Sequence, residues 1–145
     1  MPYKLTWEPR GVYRQYRGDV TIAERLESFE VICADRRFDD LRYAITDYLE
    51  VDAYEVTTES TAEMAALHVG PLFTNPRILI AAVAIRPDIL AAIRDFIGHG
   101  FTNAPYCVFP TVDAARRWVG APSAARERLQ AAADPAPPLR SPTRA

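Results

Sequence analysis

Residues 77–85 read RILIAAVAI, a run of apolar side chains that lacks the alternation of a half-exposed strand. A strand that is apolar on both faces is typical of a parallel sheet covered by helices on both sides. Pro87 and Asp88 follow, and a proline with a carboxylate in a first helical turn predicts that a helix begins there. The stretch therefore predicts a central strand of a sandwiched sheet, followed by a helix.

The segments before this run predict a hairpin and then a helix. Two short strand-like runs, 5–7 and 12–17, are separated by Pro-Arg-Gly, which predicts a β-hairpin. Thr21 and Glu24 have the spacing of a capping box, so a helix is predicted to begin at Thr21 and to end near residue 35. The side chains predicted to face the core are Ile22, Leu26, Phe29 and Cys33.

The remaining segments continue the alternation of strands and helices. A strand is predicted over 41–47, an irregular loop over 48–58, and a helix from the Ser60–Glu63 capping box to about residue 69. Downstream, residues 106–109 predict a last strand and residues 111–120 a last helix.

This order predicts one α/β domain over residues 1–120. Strands that alternate with single helices imply right-handed crossovers, hence a mixed, mostly parallel sheet of about five strands with four helices and an antiparallel N-terminal β-hairpin. Residues 121–145 are rich in Pro and Ala and predict a tail, with a weakly docked helix over 123–133 and then disorder.

Composition restricts the classes of partner. The chain has 145 residues with 17 basic and 19 acidic side chains, a net charge of −2 that argues against nucleic acid as the main partner. No apolar run approaches the roughly 18 residues of a membrane span, and no apolar leader is visible, so we expect a cytoplasmic protein. Cys33 and Cys107 match no zinc or redox spacing, and we predict no metal and no cofactor.

Four segments carry a resemblance to a known family: WEPRGV at 7–12, GDVT at 18–21, DRRFDDLRYAITDY at 35–48 and NPR at 75–77. With the element order, they make residues 4–120 similar to the small stand-alone SpoIIAA-like proteins, which are related to STAS and SEC14 domains. The resemblance implies a layered STAS-like fold. It implies no defined activity.

The regulatory STAS antagonists also carry Asp-Ser-Ser-Gly eight residues after a strand-ending Asp, and the second serine is phosphorylated. If Asp47 takes the place of that first Asp, the phosphorylated position falls on Thr57 and the glycine is replaced by Thr58. The resemblance thus implies phosphorylation at Thr57 or Thr58, without the tight turn that the glycine provides.

The densest group of carboxylates is expected where the strand over 41–47 ends. Ligands of open α/β sheets bind beyond the carboxyl ends of strands, so this group suits a cation site or an acid/base pair. The alternative is a solvated acidic loop. Tyr48 and Tyr54 lie within the same segment and would suit a pocket or a protein interface. The carboxylates are Asp47, Glu50, Asp52 and Glu55.

Two further places are candidates for binding. Arg86 and Asp88 flank the predicted start of a helix, where backbone amides can hold an anion; the alternative is a surface arginine. His99 lies between two glycines and is a better candidate than His68, although both are typical of packing or helix-end histidines. No hydrolase elbow and no Gly-rich phosphate loop is present, and no catalytic residue is assigned.

Three functions remain open at this point. The first is a non-enzymatic binding or regulatory module for an unknown protein partner or ligand, working through loops 47–58 and 85–88. The second, implied by the SEC14 relationship, is a carrier or sensor of a small apolar ligand. The third is an enzyme that uses the acidic loop 47–55. A homodimer is left open. The second function needs a cavity lined by residues such as Leu67, Leu72, Phe73, Ile93 and Phe96.

Overall fold

The sheet has five strands that lie side by side in their order along the chain. The structure is a computed structural model, described for residues 3–100 and 104–133. Its elements are β1 (Tyr3–Glu8), β2 (Gly11–Val20), α1 (Ile22–Ala34), a short 3-10 helix (Phe38–Asp40), β3 (Tyr43–Tyr54), α2 (Thr58–Thr74), β4 (Leu79–Val83), α3 (Pro87–Gly98), β5 (Tyr106–Phe109), α4 (Val112–Gly120) and α5 (Ser123–Ala133).

Strand direction determines on which face each helix lies. β1 and β2 are antiparallel, and every later neighbouring pair is parallel. Right-handed crossovers between successive parallel strands place α1, α2 and α3 on the same face of the sheet. α4 and α5 pack against β5 on the opposite face, where α4 also contacts β3 and β4. The predicted mixed, mostly parallel sheet with an N-terminal hairpin is confirmed.

β4 is the central buried strand that the run at 77–85 predicts. Ala81, Ala82 and Val83 have no exposed surface. Ala82 packs with Ile89 of α3, whereas Ala81 and Val83 belong to the cluster around Trp118 on the other face. Small side chains in the middle of the sheet let helices approach from both sides. Because both faces of β4 are then buried, its sequence shows no alternation of polar and apolar residues.

The segment predicted as a loop at 48–58 is mostly strand. β3 continues to Tyr54 because the ten-residue strand β2 supplies pairing partners along its length, up to Val20 opposite Tyr54. The ladder is irregular between Gln15 and Arg17 and between Gly18 and Asp19. Such bulges shift the side-chain alternation, so the period-2 pattern that marks a strand is lost in the sequence.

Two helices also differ from their predicted extent or orientation. α2 begins after Thr57, whose capping box is formed with Ser60 rather than between Ser60 and Glu63, and it continues through Pro71 to Thr74. In α1 the buried residues are Arg25, Ser28 and Ile32. The four apolar side chains predicted to face the core are only half-buried. The helix thus turns a partly polar stripe toward the sheet.

The described residues contain five α-helices, one more than the four predicted for residues 1–120. The fifth, α5, occupies the segment predicted as a weak helix, and Leu129 packs against the cluster around Trp118. Residues 134–145, predicted as disordered, lie outside the described residues. None of the described helices combines the length and apolarity needed to cross a membrane.

A close approach at Gly11 yields the first prediction. An added Cβ at this buried glycine would lie 2.1 Å from Cε2 of Tyr43. The ring cannot move freely, because the Tyr43 hydroxyl donates to Glu8, whose carboxylate accepts from Arg116 at 2.9 and 2.7 Å. Gly11→Ala should lower the free energy of unfolding by about 1–3 kcal/mol, measured by urea titration.

The matched control is Gly70→Ala, in the interior of α2. Nothing lies within 4 Å of its added Cβ. Because alanine is favoured over glycine inside a helix, this variant should gain about 0.5–1 kcal/mol. Equal unfolding midpoints for Gly11→Ala and the unaltered protein would show that the Gly11–Tyr43 contact is absent in solution.

The domain boundary at residue 120 remains a prediction and can be tested by truncation. A chain that ends at Gly120 should keep a single cooperative thermal transition, since α5 adds one half-buried large apolar side chain, Leu129. The expected loss is about 1–2 kcal/mol, and Leu129→Ala in the full chain should lose a similar amount. Loss of the cooperative transition would place α5 inside the domain.

Candidate functional site

A cavity of about 60 Å³ lies between the sheet and the helices α1, α2 and α3. Polar side chains from β2, β3, β5, α1 and α2 form much of its wall, and apolar side chains from α2, α3 and β4 complete it. We call it the arginine–tyrosine pocket. Its polar residues are Arg14, Tyr16, Arg25, Thr46, Tyr48, Tyr54, His68 and Tyr106, and its apolar residues are Met64, Ile80, Ala92, Ile93 and Phe96.

Arg14 extends from β2 into this pocket and is held by two hydroxyls. Nε and Nη2 donate to Oγ1 of Thr46 at 3.3 and 2.9 Å, and Nη1 donates to Oγ of Ser28 at 3.0 Å. Thr46 is 4% exposed and Ser28 is fully buried. Neutral oxygens therefore hold the guanidinium in place, and none of the ion pairs formed by the described residues involves Arg14.

The hydroxyl of Ser28 joins α1 to β2. It donates to the carbonyl oxygen of Arg25 at 3.0 Å, so its oxygen can only accept from Arg14 and from the Tyr16 hydroxyl at 2.6 Å. The Tyr16 hydroxyl is thus the donor in that contact. This network explains why α1 buries a serine and an arginine.

Arg25 is the second guanidinium of the pocket. The residue is 8% exposed, its Nη1 donates to the carbonyl oxygen of Glu55 at 3.2 Å, and its guanidinium lies 4.5 Å from the centre of the Tyr54 ring. Every ion pair found among the described residues involves other side chains. Neither arginine of the pocket has a carboxylate partner in this part of the chain.

Counting hydrogens shows what the pocket can still bind. A guanidinium has about five N–H donors. The bonds described above use three on Arg14 and one on Arg25, which leaves two and four. Burial raises the pKa of Tyr106 and of Tyr54, so both hydroxyls keep their hydrogens and can donate. The pocket combines a surplus of donors with two positive charges, which favours an anion.

His68 lies on the α2 side of the pocket. Its ring stacks on Phe29 at 4.0 Å and meets Phe96 edge-on at 4.8 Å. Nδ1 is 2.6 Å from the carbonyl oxygen of Met64; because a carbonyl only accepts, Nδ1 carries the hydrogen and Nε2 is bare.

The charge state of His68 follows from its surroundings. Burial lowers the pKa of His68 to about 4; the Met64 hydrogen bond raises it, and the charges of Arg14 and Arg25 lower it. The imidazole is therefore neutral near pH 7.

The tyrosines form the aromatic part of the wall. Tyr16 and Tyr48 stack with ring centres 5.4 Å apart, and Tyr54 meets Tyr48 edge-on at 5.7 Å. Tyr48 and Tyr54 are the two predicted site residues that the structure brings into the pocket.

The four carboxylates predicted to converge are separated. Asp47 is 3% exposed; it accepts from the Tyr13 hydroxyl and, at 2.9 Å, from the amide of Leu49. Since strand residues alternate between faces, Asp47 lies on the opposite face of β3 from Thr46 and Tyr48.

The other three carboxylates have separate surroundings. Glu50 pairs with Arg17 at 3.0 Å, Asp52 is exposed, and Glu55 accepts from the amide at the start of α1. Across residues 3–100 and 104–133, no three His, Cys, Asp or Glu side chains are grouped so that they could hold a metal ion.

Thr57 and Thr58 stand at the start of α2. Thr57 is its N-cap and accepts from the amide of Ser60 at 2.9 Å, and both threonines are exposed. Phosphorylation at either residue stays a prediction.

The remaining predicted binding residues lie outside the pocket. Arg86 pairs with Asp88 at 3.0 Å and also donates to the carbonyl oxygens of Val51 and Asp52. His99 caps the end of α3, 3.8 Å from Asp95.

The cavity expected for an apolar ligand is present only in part. Ile93 and Phe96 line the arginine–tyrosine pocket, and Leu72 packs in the separate cluster around Phe38. Leu67 and Phe73 are 47% and 85% exposed and line no part of that pocket. The prediction of Leu67 and Phe73 as cavity residues is thus wrong, because their side of α2 faces away from the sheet.

Sequence reasoning missed Arg14 and Arg25, and it ranked His68 below His99. The available signal was a break in pattern: Arg14 stands between Val12 and Tyr16 on one face of a strand, and Arg25 and Ser28 share one face of a helix with Ile32. Charged or polar residues at inward positions require partners, which makes them markers of a site.

Comparisons with known proteins identify the fold. No family model matches the chain, and no curated protein matches it. The structure is similar to that of the unphosphorylated anti-sigma factor antagonist SpoIIAA, with a TM-score of 0.55 and 9% identity over 79% of this chain and 93% of that one. It is also similar to an uncharacterised DUF3478 family protein with a SpoIIAA-like fold from Shewanella loihica PV-4, with a TM-score of 0.51 and 14% identity over 81% and 91% of the two chains. The chain therefore has a SpoIIAA-like fold, as the resemblance of its sequence implies.

Proposed function

We propose that this chain is a non-enzymatic binding or regulatory module whose ligand is a small anion held in the arginine–tyrosine pocket. The observation that carries the proposal is the pair of guanidinium groups, Arg14 and Arg25, which face one cavity without a carboxylate partner in the described residues. A buried cation without a counter-charge costs several kcal/mol, and a bound anion offsets that cost.

The character of the pocket supports binding rather than chemistry. Tyr54, Tyr106 and His68 are neutral near pH 7, since burial raises the pKa of the two tyrosines and lowers that of the histidine. The carboxylates that an acid/base mechanism would need are engaged elsewhere, Asp47 by Tyr13 and Glu50 by Arg17.

The position of the pocket supports a regulatory role. The pocket is lined by residues of β2, β3, α1, α2 and α3, so a bound anion would tie three helices to the sheet. Ligand binding stabilises the folded state by RT ln(1 + L/Kd), where L is the free ligand concentration, and here the stabilised contacts are those between the helices and the sheet. The SpoIIAA-like fold is consistent with a module that binds and regulates.

The proposal predicts saturable binding of acetate and of sulfate by the unaltered protein. The titration should be followed by NMR through the backbone amide and arginine Nε–H resonances. A titration with sodium chloride to the same ionic strength is the control. Arg25→Gln removes most of the unused donors. Because charge-assisted hydrogen bonds are strong, this variant should bind acetate and sulfate about 10- to 100-fold more weakly.

Arg86→Gln is the matched control. It makes the same change of charge at the start of α3, where Arg86 already pairs with Asp88. It should leave the binding constant unchanged. If Arg86→Gln abolishes binding and Arg25→Gln does not, the anion site is at the start of α3 and the pocket proposal is wrong.

His68 gives an independent measurement on the unaltered protein. In anion-free buffer its pKa should be about 4, because burial and the two arginines disfavour the imidazolium. Sulfate in the pocket adds negative charge beside the ring, which favours the imidazolium, so saturating sulfate should raise this pKa. A His68 pKa near its ordinary value of about 6.5 in both buffers, measured by NMR titration, would contradict the proposed burial and occupancy.

A further inference from the structure

The volume of the arginine–tyrosine pocket limits the anion. A cavity of about 60 Å³ has room for about four ordered waters, at roughly 15 Å³ each. This space suits an anionic group of about four or five heavy atoms, the size of a two-carbon carboxylate or of phosphate. A bulkier ligand would fit only with its remainder outside.

The hydrogen-bonding character of the wall limits the anion further. Arg14, Arg25 and Tyr106 present donors, which anionic oxygens satisfy. His68 is different: its Nδ1 hydrogen is committed to the carbonyl of Met64, and its bare Nε2 has no hydrogen-bond partner among the described residues. Nε2 is an acceptor, and a ligand in the pocket can donate a hydrogen bond to it.

The surroundings of His68 keep it an acceptor. Phe29 of α1 and Phe96 of α3 enclose the ring, and the charged groups that act on it are Arg14 of β2 and Arg25 of α1, both positive. Proton uptake at Nε2 would add a third positive charge to a buried site. An anion without a hydrogen would instead place its lone pairs against that of Nε2, which is repulsive.

We propose that the ligand is a small oxoanion that carries its own hydroxyl hydrogen, such as a hydroxycarboxylate or hydrogen phosphate, with that hydroxyl donating to Nε2 of His68 while the anionic oxygens accept from Arg14 and Arg25. This inference rests on the proposed function, because it deepens the chemistry of the same pocket. It makes His68 the residue that selects among anions.

Two matched pairs of anions test the selection. Glycolate and acetate are carboxylates that differ by one hydroxyl. Hydrogen phosphate and sulfate are tetrahedral dianions of similar size, of which only hydrogen phosphate carries a hydroxyl hydrogen. One hydrogen bond corresponds to a preference of about two- to tenfold, so glycolate should bind more tightly than acetate, or phosphate more tightly than sulfate, by about that factor. A larger preference within the glycolate and acetate pair indicates a carboxylate ligand, and a larger preference within the phosphate and sulfate pair indicates a phosphate.

The variant His68→Phe removes the acceptor and keeps an aromatic ring between Phe29 and Phe96. It should bind acetate or sulfate at least as tightly as the unaltered protein, because the repulsive lone pair of Nε2 is gone, and it should lose the preference within each pair. If it fails to fold, the ¹⁵N resonances of His68 in the unaltered protein decide. Nε2 should remain unprotonated and shift when glycolate or phosphate binds, and should shift less with acetate or sulfate.

The outcomes separate the two proposals. If none of the four anions binds, the proposal of an anion pocket is itself wrong. Equal binding within both pairs overturns the selection by His68 while leaving an anion pocket in place. An imidazolium at His68 in the glycolate or phosphate complex at pH 7 likewise overturns it, because a protonated Nε2 donates rather than accepts.

Discussion

The fully buried hydroxyl of Ser28 is the contact on which the helix-covered face of this protein depends. It accepts from Arg14 and Tyr16 of β2 and donates to the carbonyl of Arg25 in α1. All of its hydrogen-bonding capacity is therefore used, and the bonds connect the first helix to the second strand. The same serine orients Arg14 and lies three residues from Arg25. The packing of α1 on β2 therefore determines the position of both guanidinium groups. A chain that packs α1 on β2 in this way necessarily brings two positive charges to the same cavity.

Two guanidinium groups in one buried cavity do not favour the stability of the folded state. Apolar residues of similar volume at a buried charged site are often neutral or stabilising, whereas an unpaired charge there is strongly unfavourable. The protein reduces the cost locally. Arginine is more weakly hydrated than lysine, Thr46 and Ser28 accept from Arg14, and the ring of Tyr54 lies 4.5 Å from the guanidinium of Arg25. None of these groups supplies a negative charge, and this remaining imbalance is the physical basis for assigning an anion to the pocket.

The sequence predicts the architecture better than the site, for a physical reason. The run at 77–85, the cap at Thr21 and the helix start at Pro87 are local signals, and each is present where it was predicted. The pocket is not local, since Arg14, Arg25, His68 and Tyr106 come from four elements. Apolar periodicity selects Ile22, Leu26, Phe29 and Cys33 as the inner face of α1. The helix is rotated from that position because Arg25 and Ser28 bond to partners on β2 and after β3. Of the pocket residues, the sequence predicts Tyr48, Tyr54, Ile93 and Phe96. The acidic residues around the two tyrosines are misplaced in that prediction because a bulged strand has the sequence pattern of a loop.

The pocket does not lie where α/β sheets of this kind usually bind their ligands. Open α/β sheets usually bind ligands beyond the carboxyl ends of their strands, and the predicted sites followed that rule. Here the strand ends are engaged structurally: Arg86 pairs with Asp88 and donates to the carbonyls of Val51 and Asp52, and Glu55 accepts from the start of α1. The cavity lies instead under three helices, where the small side chain of Ala92 in α3 leaves space that a larger one would fill. Similarity of backbone at 9–14% identity shows the SpoIIAA-like fold and nothing about these side chains. Whether a chain of this fold can hold an anion therefore depends on what stands at the positions of Arg14, Arg25 and His68, and an apolar residue at the first two would leave a dry core in their place.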